Sequence, residues 1–159
     1  MEWNLRSARE LMLALRAGEV SSLESTEAAI AAIERDDSVI NAIWVPDFAR
    51  ARAAARQADV SRGEDRPLLG VPITVKESYD VAGLPTTWGM PQYRDFHPAE
   101  DAVQVARVKA AGAVILGKTN VPPGLQDLQS FNEMYGTTTN PWDSGRASGG
   151  SSGGSAPTR

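Results

Sequence analysis

The chain predicts an α/β layered fold, because two short apolar runs of strand type flank a helical one. Val71-Pro72-Ile73-Thr74-Val75 ends at Lys76, a helix follows up to Ala111, and Ala113-Val114-Ile115-Leu116 leads into Gly117-Lys118-Thr119-Asn120. Strand, helix and strand in that order call for a parallel pair joined by a crossover, with helices laid against the sheet. Upstream, two capping boxes, Ser7 to Glu10 and Ser21 to Glu24, open amphipathic helices that supply such a layer.

The elements follow in order. After Ser7, Ala8, Leu11, Met12 and Leu15 recur at helical spacing, and Gly18 is a stop signal. The second helix turns Leu23, Ile30 and Ile33 inward and runs out near Asp36-Asp37, so that Val39 to Val45 reads as a strand. Phe48 to Ala58 carries an alanine stripe (Ala51, Ala54, Ala55, Ala58), the mark of a close-packing helix, and Ser61 to Arg66 is a polar loop. Gly83-Leu84-Pro85 breaks the chain after the first lysine strand, and an irregular stretch continues through Trp88-Gly89-Met90-Pro91. Trp88 and Met90 read as core or lid packing on their apolar character. Asp101 is the expected cap of the next helix, with Arg107 and Lys109 in its last turn and Gly112 as its stop. From Pro122 onward the pattern is loop-rich.

Composition narrows the chemistry. A net charge of −4 offers no electrostatic footprint for nucleic acid, and no run approaches the length of a membrane span. Without cysteine there is neither a disulfide framework nor a thiolate metal site, and the expected location is cytoplasmic. No cofactor motif is present. A single histidine, His97, lies between Phe96 and Pro98 and reads as a loop residue rather than a proton carrier. Of the 16 basic residues only Lys76, Lys109 and Lys118 are lysine. That choice matters because a desolvated lysine can lose its proton and act as a base, whereas arginine does not. Lys76 ends an apolar strand, where sites in open α/β sheets gather, but a strand-end lysine that merely snorkels to solvent fits as well. Lys118 has the same placement and the same two readings.

Gly149-Gly150-Ser151-Ser152-Gly153-Gly154-Ser155 is the other singular feature. By composition it is either a flexible linker or a loop that needs close backbone approach. A phosphate-binding loop fits poorly, since the run lacks a Lys-Ser/Thr ending and a strand-loop-helix setting.

Three motifs occur together in one order. They are Gly70-Val71-Pro72-Ile73-Thr74-Val75-Lys76-Glu77, then Ala110 to Asn120, then Asn140-Pro141-Trp142 followed by Gly149 to Ser155. In this the chain resembles the amidase signature family of amide hydrolases, from the N-terminal helices to Ser155. The resemblance implies a mixed β-sheet flanked by helices, incomplete here. Residues 1–159 would be the N-terminal portion of a single amidase domain: a helical start over 1–60, the sheet with its lysine strand over 68–120, and a loop-rich Gly/Ser segment over 121–159. It implies a Ser–cis-Ser–Lys triad, with Lys76 as the base and Ser151 as the bridging serine preceded by a cis peptide bond. The nucleophilic serine of that triad lies further along in family members, and no serine of this sequence stands in its position. A polypeptide of these residues alone is therefore expected to be inactive, and a truncated or frameshifted product without enzymatic function is an alternative. Ser148 stands where members often carry proline, and Pro157-Thr158-Arg159 departs from the small-residue pattern that usually follows.

The resemblance also marks Leu125 and Asp127 as substrate contacts, against simple loop packing. It implies hydrolysis of the carbon–nitrogen bond of a linear amide, a small-molecule substrate. The family includes the catalytic subunit of the glutamyl-tRNA amidotransferase as well as stand-alone amidases. Val121-Pro122-Pro123-Gly124 replaces the acidic Met-Asp-Glu-Phe run usual in that subunit, which favours a stand-alone amidase acting on a small or lipophilic amide. Exposed strand edges are expected to promote self-association.

Overall fold

The computed structural model describes residues 3–156; the departure at Pro157-Thr158-Arg159 lies outside them. Helix α1 (Ala8–Ala17) starts at the expected capping box, in which Glu10 N–H donates to the Ser7 hydroxyl and Ser7 N–H to the Glu10 carboxylate. It ends at Gly18 in the left-handed conformation and buries Leu11, Ala14 and Leu15 against Val20 and Val71. Helix α2 (Ser22–Ile40) opens at the second box, and the Asp59 carboxylate also accepts the N–H groups of Ser22 and Leu23. That contact ties the start of α2 to the end of α3 (Phe48–Val60).

Helix α2 outruns its sequence signal. It continues past Asp36-Asp37 to Ile40, where Asn41 takes the left-handed conformation. The Asp37 carboxylate then catches the N–H groups of Ala42 and Ile43, so β1 is only Ile43–Pro46. Val39, expected in a strand, is an exposed residue of the last helical turn.

Strand β3 (Val114–Thr119) is the centre of a three-stranded mixed sheet, antiparallel to β1 and parallel to β2 (Pro72–Lys76). The parallel pair is the one the sequence predicts. On one face Ala51 and Ala55 of α3 let the helix approach closely enough to pack, with Ile30, against Val114 and Leu116. Ala54 turns outward and takes no part. The other face carries Val45, Val81, Leu84, Ile115 and Val105, the last from α4 (Val103–Ala110). Every residue of β3 is buried as a result.

Asp101 does not cap α4. The N-cap is Ala102, and Asp101 instead accepts Ala82 N–H and pairs with Lys109 at 2.7 Å. The lysine at the far end of α4 competes for the carboxylate that the capping pattern reserves for backbone. Beyond β3 come two small hairpins, β4/β5 (Phe131–Asn132 with Gly136–Thr137) and β6/β7 (Thr139–Asn140 with Asp143–Ala147). Among the described residues no helix is long and apolar enough to cross a membrane.

Candidate active site

Lys76, at the end of β2, donates from Nζ to Ser151 Oγ at 2.8 Å, which joins two segments 75 residues apart. Its side chain is half-buried, and the loss of water around the ammonium lowers its pKa below the usual lysine value. The Gly150–Ser151 peptide bond is cis, as the resemblance implies.

The Gly/Ser run is clamped rather than free. A side chain on Gly150 would stand 2.7 Å from the Leu128 backbone, and one on Gly154 would stand 2.5 Å from the Asn120 nitrogen. Gly154 N–H donates to Ser130 Oγ at 3.2 Å, and the Ser148 hydroxyl donates to the Gly153 carbonyl at 3.0 Å. Ser155 Oγ shares a hydrogen bond with Thr119 Oγ1 at 2.8 Å. Lys76 and Thr119 are partners in the β2–β3 ladder, so the end of one strand pair holds both serines. The flexible-linker alternative does not survive this packing.

Lys118 has the opposite fate, for a reason the sequence does not display. The β2–β3 register slips by one residue between Ile73 and Thr74, at a bulge containing Gly117. Without that extra residue Lys76 would face Lys118; with it, Lys76 faces Thr119 and Lys118 turns to the other side of the sheet. Only glycine fits at the bulge, because a Cβ there would collide with the Val45 carbonyl oxygen. Lys118 is fully buried, with Nζ donating to the Pro85 carbonyl and to Thr86 Oγ1. Burial pulls its pKa down to about 8, against the smaller opposing influence of Glu77 and Asp80.

Glu77, next to Lys76, is also fully buried. Its carboxylate accepts the N–H groups of Thr87 and Trp88 and the hydroxyl of Tyr135, whose own pKa burial pushes well up. Glu77, Tyr135 and the Asn120–Asn132 pair that braces the first hairpin are the residues sequence reasoning missed. Only the position of Glu77 inside the first motif hinted at its importance.

These shifts predict a pH-dependent stability. Unfolded, Lys118 keeps its proton up to about pH 10.4, whereas in the fold it gives it up near 8. Across that window unfolding takes up a proton, so stability rises with pH, by up to about 3 kcal/mol. Lys76 adds in the same direction. Above about pH 10 the unfolded chain ionises Tyr135 while the fold resists, and stability falls again. Urea denaturation at a series of pH values checks this, and a Lys118→Met variant is expected to lose most of the rise.

The remaining expected site residues lie apart from this pair. Leu125 is half-buried at the end of a short 3-10 segment with φ +63°, and Asp127 is exposed, its carboxylate accepting Gln129 N–H. No hydrogen bond or ion pair joins either to Lys76 or Ser151 among the described residues. Their segment nevertheless backs the Gly/Ser run, through Leu128 and Ser130. Trp88 is not core: it is 44% exposed, with φ +55°, and its carbonyl accepts Gly124 N–H. His97 sits exposed in a loop beside the Asp95 carbonyl.

A family model described as Amidase matches residues 24–158. The chain belongs to the amidase family. This amidase segment is 44% identical, over 94% of its length, to a glutamyl-tRNA(Gln) amidotransferase subunit from Roseiflexus castenholzii, and covers 30% of that protein. It is 42% identical, over 94% of its length, to fatty-acid amide hydrolase 2-A of Danio rerio, again covering 30%. Among solved structures, a bacterial aryl acylamidase of the amidase signature family superposes with a TM-score of 0.92 at 27% identity, over 99% of this chain and 34% of that one. The amidase segment thus spans about a third of the length of the relatives it matches, and its small sheet corresponds to part of the family's domain.

Proposed function

We propose that this chain contributes the base and the bridging serine of an amide-hydrolysing triad. The observation that carries the reading is the 2.8 Å contact between Lys76 Nζ and Ser151 Oγ, made across 75 residues of sequence. In its neutral form Lys76 draws the proton from Ser151, and Ser151 draws the proton from a nucleophilic serine contributed by the rest of the family domain. The serine oxygen attacks the amide carbonyl, the carbon–nitrogen bond breaks, and the returning proton leaves with ammonia or an amine. Water then releases the carboxylate. Burial of Lys76 supports the neutral form that this relay needs. Leu125 and Asp127 are proposed substrate contacts, with support from the packing of their segment against the Gly/Ser run. A cytoplasmic setting for the reaction is part of the same proposal.

The test is a chimera that joins residues 1–155 of this chain to the remainder of the aryl acylamidase. It is expected to hydrolyse an aryl amide, whereas the 159-residue polypeptide alone shows no turnover. A folded chimera inert towards aryl and aliphatic amides alike would overturn the proposal. A second reading, a segment of a tRNA-dependent amidotransferase, has the 44% identity in its favour. Stoichiometric co-purification with a tRNA-binding partner would establish it over the stand-alone amidase suggested by Val121-Pro122-Pro123-Gly124.

A further inference from the structure

The end of the β2–β3 pair has two working faces. On one of them Lys76 and Thr119 hold Ser151 and Ser155. Glu77 follows Lys76 and Lys118 precedes Thr119, so strand alternation turns both to the reverse face. There the two buried groups grip one short loop. Lys118 Nζ donates to the Pro85 carbonyl and to Thr86 Oγ1, and Glu77 accepts the N–H groups of Thr87 and Trp88. Gly89 N–H donates to Thr87 Oγ1 at 3.1 Å, so each residue from Pro85 to Gly89 is held.

The loop hands that constraint back to the first face. The Trp88 carbonyl accepts Gly124 N–H at 2.8 Å, and a Cβ on Gly89 would stand 3.1 Å from Asn132 Nδ2. Asn132 in turn donates to Asn120 Oδ1 and to the Val121 carbonyl. The stretch from Asn120 to Asn132 is what backs the Gly/Ser run. Leu128 lies against Gly150, Asn120 lies against Gly154, and Ser130 Oγ accepts Gly154 N–H. The circuit thus starts beside Lys76 and closes beside Ser151.

We propose that Glu77 and Lys118 are positioning residues which, through the 85–89 loop and the 120–132 stretch, set the distance between Lys76 Nζ and Ser151 Oγ. The inference rests on the reading of that contact as part of a catalytic triad, and it gives two residues outside the contact a share in the reaction. Hydrogen bonds to charged groups are roughly twice as strong as neutral ones, and four of them hold the loop. Buried charges gain little net stability, because desolvation offsets their attraction, but they tolerate few arrangements of donors and acceptors. A proton relay needs that fixity, since a misplacement of about 1 Å costs about 10²-fold in rate.

Lysine-selective ¹³C NMR of the 159-residue chain follows Lys76, Lys109 and Lys118 through a pH titration. Glu77→Gln tests the sign. Losing a neighbouring negative charge, by itself, makes Lys76 give up its proton more readily and moves its titration down in pH. Loosening the brace withdraws Ser151 and readmits water, which moves the titration up, towards the ordinary lysine value of about 10.4. The upward shift is expected. Gly89→Ala changes no charge but presses on Asn132, and is expected to shift Lys76 the same way. Leu15→Val, in the core cluster beside Val71 at the opposite end of β2, is expected to leave it in place. In the chimera, Glu77→Gln is expected to lower kcat about 10–10²-fold with little change in KM, and to displace the rise of kcat/KM to higher pH. A Lys76 titration that falls or stays put in Glu77→Gln, or stays put in Gly89→Ala, with the fold intact by circular dichroism, overturns the proposal. An inert parent chimera beside the expected titrations would instead overturn the catalytic reading while the brace stands.

Discussion

Replacing Lys76 by alanine in the chimera is expected to lower kcat by about 10²–10⁴-fold with little change in KM, since a proton acceptor acts in the transition state. Ser151→Ala should cost a similar factor, and the double variant no more than either alone, because a relay fails as a unit. Lys76→Arg should not rescue, as a guanidinium is never neutral in water. The pH profile carries the sign. Neutral Lys76 is the working form, so kcat/KM of the parent rises with pH through its pKa, at a lower pH than an ordinary lysine would give. That limb disappears in Lys76→Ala. A variant without the amine that keeps most of the parent rate, or the same limb, would end the assignment of Lys76 as base.

Glu77→Ala is expected to be the most destabilising single substitution at the site. It strips a fully buried carboxylate from the N–H groups of Thr87 and Trp88 and from the Tyr135 hydroxyl, the first and last of them buried. Each orphaned buried donor costs about 1–3 kcal/mol, so a loss of about 3–5 kcal/mol is expected in urea unfolding. Glu77→Gln should fall between, because its amide offers one acceptor but turns a donor towards a donor. A loss below about 1 kcal/mol in the alanine variant would show that the 86–90 loop does not depend on this anchor.

What could be read in advance was the local information. The boxes at Ser7 and Ser21 carry their own partners within four residues, and both helices begin where those pairs say. The strand ending at Lys76 and the parallel pairing with β3 follow from apolar runs and spacing, and the Lys76–Ser151 contact matches what the family resemblance implies. The unread features are set by distant partners. Glu77 meets Tyr135 across 58 residues, and nothing in either neighbourhood announces it. Lys118 looked equivalent to Lys76 until one surplus residue in β3 turned it inward, and a bulge shows only in the pairing of two strands. Asp101 carried a capping pattern but yielded to Lys109, and β4, β5 and β6, two residues each, are too short to leave a period in the sequence.

The three lysines of this chain have parted company chemically. Lys118 is fully buried, Lys109 is held in an ion pair with Asp101, and Lys76 combines a half-buried side chain with a loosened hold on its proton. An electrophile that acylates neutral side-chain amines is therefore expected to favour Lys76 over Lys109, at the position proposed to drive hydrolysis. The proposed catalytic role and a susceptibility to covalent poisoning would then rest on the same atom.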